Sequence, residues 1–183
     1  TPLPPPVTEN RTFVVVAGVP HYRIGPGDVL DLLITRGPVQ DKLQATVRSS
    51  GKVFVLLAEV PVDGLTAEQA GQAIGKELSV YFRQPKVDVQ VKEFHSKKVT
   101  VFGAVGASIR ASGTSLPLTG RMTVVEAIGK AGGLHANAGM ERVRVNRTDG
   151  KSYVVNLFRF MQEGDPALEF VLDAGDTIVV PEQ

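Results

Sequence analysis

The residues best equipped for chemistry in this chain are three histidines, two aspartates in matched settings and a scatter of arginines. His21, His95 and His135 stand in different segments, with no two at the i, i+4 or short-loop spacing that gathers metal ligands. Each therefore reads as a packing or surface residue, and no metal or other cofactor is expected. Asp28 and Asp176 are the carboxylate pair to weigh for acid–base work. Each, however, closes a Gly-Asp turn (Gly25-Pro26-Gly27-Asp28 and Gly175-Asp176), where a short acidic side chain bonds back to turn amides. The serines of "RASGTS" have neither the strand-to-helix setting nor the partner histidine of a nucleophile. With no Cys, the sequence excludes thiol catalysis, disulfides and cysteine zinc sites. "GKAGG" falls at a helix end, where the dipole is wrong for an anion, and no nucleotide-loop pattern precedes a helix. These readings point to a protein that is not an enzyme.

The arginines suggest contact with a partner instead. Arg142, Arg144 and Arg147 with Lys151 lie on an expected hairpin, and alternation puts Arg142 and Arg144 on one face. Such a face is first a solvated strand surface; it would also suit an acidic polymer. The segment 108–122 reads as a loop that carries Arg110 and Arg121 beside a helix start, and both are candidates for polymer or subunit contact. A net charge of +1 and a pI near 7.9 supply no global field for polyanions, so no nucleic acid is expected. Aromatic residues make up 6% of the chain and Trp is absent, which leaves few stacking platforms for a sugar. A conduit needs weak grip in any case, because its cargo must move on.

Along the chain, "TPLPPP" favours extended, solvated polyproline geometry and reads as a spacer. "GPGDVLDLLI" and "LDAGDTIVV" each lead through a tight turn into an aliphatic strand, the first apolar on both faces in the manner of an interior strand. Thr66 with Gln69 and Thr123 with Glu126 are capping-box pairs that open two helices of about 10 to 13 residues. Gly132 and Gly133 end the second. Val87, Val89 and Val91 alternate with polar residues, as in a strand with one wet face. Strands and helices recur in two rounds, an α+β pattern of mixed sheets with one or two packed helices each. The longest apolar runs fall far short of the roughly 20 residues of a membrane-spanning helix.

In this order, the segments resemble the outer-membrane polysaccharide export family of Gram-negative bacteria, the Wza-type proteins. "YRIGPGDVLDLLI" is similar to the family's opening signature, and the stretch from "GKVFVLLAEV" through "RQPKVDVQV" resembles its export domain. "SKKVTVFGAV", "LPLTGRMTVVEAIGKAGGL" and "VLDAGDTIVVPE" resemble its soluble-ligand-binding β-grasp (SLBB) domain. The resemblance implies a small export domain, residues 37–95, inserted into an SLBB β-grasp domain made of residues 22–36 and 96–183, after a leader over residues 1–21. Residues 29–34 would then pair with, or pack beside, the sheet containing Thr177–Val180.

It also implies a function: a periplasmic part of a capsular or exopolysaccharide export machine, meeting an inner-membrane polysaccharide co-polymerase and an outer-membrane barrel or a homo-oligomeric ring. Without a lipid-anchor Cys and a pore helix after Gln183, the expectation is either a trimmed chain or a short member working beside a separate barrel. The alternative is a stand-alone SLBB module for a small soluble molecule or a nucleic acid. The Gly-Leu-Thr export segment speaks against it.

Overall fold

The computed structural model describes residues 7–106, 110–163 and 170–183. The Pro-rich stretch 1–6 lies outside these. The chain divides into two compact units, Arg11–Lys97 and Lys98–Gln183, the second also taking in the described residues up to Asn10. Each has its own apolar core.

In the first unit, β1 (Phe13–Val16) and β2 (Val19–Tyr22) form a hairpin through Ala17 and Gly18, both at positive φ. β3 (Val29–Arg36) turns through Gly37 and Pro38 into β4 (Val39–Thr46). Gly37 takes φ 58°, and a glycine first in a two-residue loop matches the twist of a hairpin. β5 (Lys52–Val55) and β6 (Ala58–Pro61) make a third hairpin. Then come α1 (Ala67–Leu78) and β7 (Lys86–Glu93), giving a three-stranded antiparallel sheet ordered β4-β3-β7. Leu30, Leu32 and Ile34 on one face of β3 are buried with Val53, Val55 and Val60 of the third hairpin and Ala70, Ile74 and Leu78 of α1. Asp31, on the opposite face, is exposed, so β3 is interior by its pairing yet wet on one side.

β3 is bonded along one edge to β4 and along the other to β7. The expected pairing of residues 29–34 with Thr177–Val180 is therefore corrected: both edges of β3 are occupied, and the two strands belong to separate sheets. The segment 22–36 accordingly lies in the unit Arg11–Lys97 and is not split off from it. Alternation tells which face of a strand is dry, but an edge partner leaves no mark on it.

α1 approaches β7 closely because Gly71 faces it. A Cβ on Gly71 would lie 2.7 Å from the Val87 carbonyl oxygen, a backbone atom that cannot swing away. Gly129, in the second helix, has nothing within 4 Å. Gly→Ala inside a helix ordinarily gains about 1 kcal/mol. Gly129→Ala should therefore stabilise its unit by about that amount, whereas Gly71→Ala should destabilise by about 1–3 kcal/mol through the forced shift of α1. Urea unfolding of the two variants followed by circular dichroism checks the opposite signs.

The second unit runs β8 (Lys98–Gly103), β9 (Arg110–Pro117), α2 (Val124–Lys130), a 3-10 turn (Met140–Arg142), β10 (Val143–Asn146), β11 (Ser152–Val155), α3 (Leu157–Glu163) and β12 (Thr177–Val180). The sheet order is β11-β10-β12-β8-β9, with β12 parallel to β8 and every other pair antiparallel. A first and last strand lying parallel at the centre, with hairpins outside, is the β-grasp arrangement. Val124, Ala127 and Ile128 of α2 are buried with Val99, Val101, Val145, Ile178 and Val180 of the sheet. At 7 residues, α2 is shorter than expected. Gly132 at φ 115° donates its N–H to the Gly129 carbonyl and Gly133 donates to Ile128, the two bonds of a Schellman stop. Much of the segment read as a loop over 108–122 is strand β9, whose polar, glycine-containing "RASGTS" carries no clean alternation. No helix among the described residues is long and apolar enough to cross a membrane.

Candidate functional site

The first Gly-Asp turn is a type II turn with Pro26 and Gly27 at its centre, Gly27 taking φ 94°. The Asp28 N–H donates to the Gly25 carbonyl at 3.2 Å, and the Asp28 carboxylate accepts the Gly25 N–H at 2.9 Å. That carboxylate is fully buried and takes four further donors: Tyr22 hydroxyl at 2.7 Å, the backbone amides of His95 and Ser96 at 2.8 Å each, and Ser96 Oγ at 2.9 Å. A buried charge survives only when saturated in this way. Burial, together with the neighbouring Asp28 charge, pushes the Tyr22 hydroxyl well above the ordinary tyrosine pKa, so it remains a proton donor.

The second turn repeats the design in its own unit. Gly175 takes φ 83°, the Asp176 N–H donates to the Asp173 carbonyl at 3.1 Å, and the buried Asp176 carboxylate accepts the Asp173 N–H at 2.8 Å. Even the outward bonds correspond. Gly27 N–H reaches the Val47 carbonyl and Gly175 N–H the Lys98 carbonyl, while the Asp28 and Asp176 carbonyls accept from Val47 and Thr100. Both turns are strand anchors, and each carboxylate is committed to a backbone amide of its own turn.

The capping pairs differ in detail. At Thr66 both arms close: its hydroxyl oxygen accepts the Gln69 N–H, and Gln69 accepts the Thr66 N–H. Thr123 accepts the Glu126 N–H, but Glu126 then accepts the Thr123 hydroxyl proton and not its backbone N–H, so this second box is half of one.

The arginines do not converge. Arg142 sits in the 3-10 turn and donates to the Glu182 carbonyl at 3.0 Å, whereas Arg144 is an exposed residue of β10. The shared strand face expected for them is corrected, because the strand begins at Val143, after Arg142. Arg147 turns inward, 2.8 Å from the Val171 carbonyl, 3.7 Å from Asp176 and 4.8 Å from the Phe170 ring centroid. Arg121 is exposed just before α2, and the side chain of Arg110 lies outside the described residues.

A different surface gathers polar groups. On the outer face of β4-β3-β7, strand register sets Gln44, Asp31 and Gln90 side by side in one row and Lys42, Leu33 and Asp88 in the next, with Lys86 beyond. These line a groove of about 1380 Å³ within the first unit, continued by Glu68 and Gln72 of α1. All of its polar side chains on the three strands are exposed, and among the described residues none makes a hydrogen bond or ion pair of its own. Sequence reading passed this surface over. Its signal, Asp88, Gln90 and Lys92 alternating with valines, marked a wet face but not the neighbours that complete it. Among the described residues, no three acidic or histidine side chains form a metal site.

Comparison with known proteins divides the chain as the structure does. Residues 16–92 match the family model described as polysaccharide biosynthesis/export protein, and residues 97–180 match the SLBB domain. The chain is 25% identical over 193 residues to the EPS I polysaccharide export outer membrane protein EpsA of Ralstonia nicotianae, covering 92% of this chain and 49% of that one. To the protein of the same name from Ralstonia solanacearum it is 25% identical over 190 residues, covering 91% of this chain and 49% of the relative. The chain thus spans about half the length of these curated relatives.

Proposed function

From its membership of the polysaccharide export family, with an export domain followed by an SLBB domain on one chain, we propose that this protein is a non-enzymatic component of a machine that carries a capsular or secreted polysaccharide to the outer membrane. The observation that carries this reading is the tandem match, residues 16–92 and then 97–180, over two units that each own a complete core. The saturation of the Asp28 carboxylate by turn and backbone donors is consistent with a structural and not a catalytic use of that side chain. Its place would be the periplasmic side of the outer membrane. Its partners would be the polymer, an inner-membrane polysaccharide co-polymerase, and either a separate outer-membrane barrel or further copies arranged head to tail in a ring that closes by rotation.

The test is a deletion of the gene in its own host, with exported polysaccharide measured in the medium and on the cell surface, and complementation by the full reading frame. Export should fall to background and return on complementation. Unchanged export in the deletion strain would defeat the reading. The rival, a stand-alone SLBB module for a small soluble molecule or a nucleic acid, leaves the whole export-domain match over residues 16–92 without a use.

A further inference from the structure

We infer that the outer face of β4-β3-β7 is a glycan track, a surface that takes a hydroxyl-rich, uncharged stretch of polysaccharide through Gln44, Asp31 and Gln90. This rests on the export reading and adds to it a site and a class of polymer.

The first support is the donor and acceptor set. A sugar hydroxyl both donates and accepts, and so does a glutamine amide; a carboxylate accepts from two vicinal hydroxyls at once. The register places an aspartate between two glutamines, one on each neighbouring strand. Adjacent strands lie about 4.8 Å apart, so the row spans roughly 10 Å, the reach of a disaccharide. The second row repeats at the i, i+2 step with Lys42 and Asp88 on either side of half-buried Leu33, an apolar floor between polar rims.

Charge and shape narrow the class. The groove is lined by three carboxylates, Asp31, Glu68 and Asp88, against two ammonium groups, Lys42 and Lys86, so it holds no positive field to concentrate a polyanion. An acidic polymer would meet like charge at each aspartate, while a neutral one meets only hydrogen-bonding groups. At about 1380 Å³ the groove exceeds the usual range for a small-molecule pocket and suits a chain that runs through. No Phe, Tyr or Trp lines it, so the large stacking platforms add nothing and the grip is weak. Weak grip at repeated positions lets a chain advance.

The experiment is an amide and side-chain NMR titration of the isotopically labelled chain with isomaltohexaose as the neutral probe. Oligogalacturonate and dT12 serve as acidic ones. Isomaltohexaose should shift the resonances of Asp31, Gln44 and Gln90, saturate in the millimolar range, and respond equally at low and high salt. The triple variant Asp31→Ala/Gln44→Ala/Gln90→Ala changes only exposed side chains and should keep its fold, as its circular dichroism would report. It should lose affinity at least ~10-fold, the effect of removing two to three hydrogen bonds, one of them to a carboxylate. Shifts absent from this face, shifts centred elsewhere, an unaltered triple variant, or tighter and steeply salt-dependent binding of either acidic probe would each overturn the inference. A deletion strain that exports normally removes the export reading; a deletion that blocks export while the groove ignores neutral glycan removes only this inference.

Discussion

Asp28→Ala should destabilise the unit Arg11–Lys97 by about 3–5 kcal/mol, the largest effect expected of any single side-chain truncation in it. The reason is the number of donors left behind. The carboxylate accepts the amides of Gly25, His95 and Ser96 and the hydroxyls of Tyr22 and Ser96, at 2.7 to 2.9 Å. The site is fully buried at Asp28, so water cannot take over without opening the turn. Asp28→Asn keeps the shape and one acceptor but aims an amide N–H at donors. The hydroxyls of Tyr22 and Ser96 can rotate to accept, while backbone N–H groups cannot, so the cost should be intermediate, about 1–3 kcal/mol. Urea unfolding monitored by far-ultraviolet circular dichroism gives both values. An alanine variant within about 1 kcal/mol of the parent would show that the turn, and not its carboxylate, holds the strand.

The second large effect is expected at Gly103, where β8 ends beside β12. Gly103 takes φ 102°, a region that costs a residue with a Cβ about 1–3 kcal/mol. Its Cβ would also run into the carbonyl oxygen of Val180, the atom that accepts the Ala104 N–H at 2.8 Å. Gly103→Ala therefore combines backbone strain with displacement of the central parallel pair, about 3–5 kcal/mol together. Gly150, in the β10–β11 turn, is the control within the same unit. It takes φ 88°, and a Cβ there would meet nothing within 4 Å, so Gly150→Ala carries the strain alone, about 1–2 kcal/mol. Equal losses at the two glycines would remove the steric contribution at Gly103.

What the sequence made legible was local. The Gly-Asp turns needed only four adjacent residues, and the cap at Thr66 needed only Gln69 three positions on. The β-grasp unit and its order of elements were legible through a resemblance spread along the chain, and the α+β class followed from the same segments. Strand partnership was not. The aliphatic run 29–34 is compatible with any neighbour, and its choice of β4 and β7 is settled by packing of Leu30, Leu32 and Ile34 against α1 and the β5–β6 hairpin. β9 escaped notice because Gly113 sits against the Phe102 ring, where a side chain would collide, so its residues obey a neighbour and not a period. The groove is the extreme case. Asp31, Gln44 and Gln90 are unremarkable polar residues in three segments, and only register makes them a row.

The two anchors have a consequence for the peptide between them. On one side the amides of His95 and Ser96 are held by Asp28; on the other, Lys98 and Thr100 bond the second turn. Lys97 itself is buried, its ammonium group on the Arg23 carbonyl and Ser96 Oγ. A dibasic pair such as Lys97-Lys98 would ordinarily invite trypsin-like cleavage, yet a protease must draw its substrate into an extended strand, and here the amides of His95, Ser96 and Thr100 and the Lys98 carbonyl are already engaged. Entry of this pair into a protease cleft would therefore have to release bonds to a Gly-Asp turn on either side, so slow digestion is the expected result, governed by two turns distant from each other in the chain.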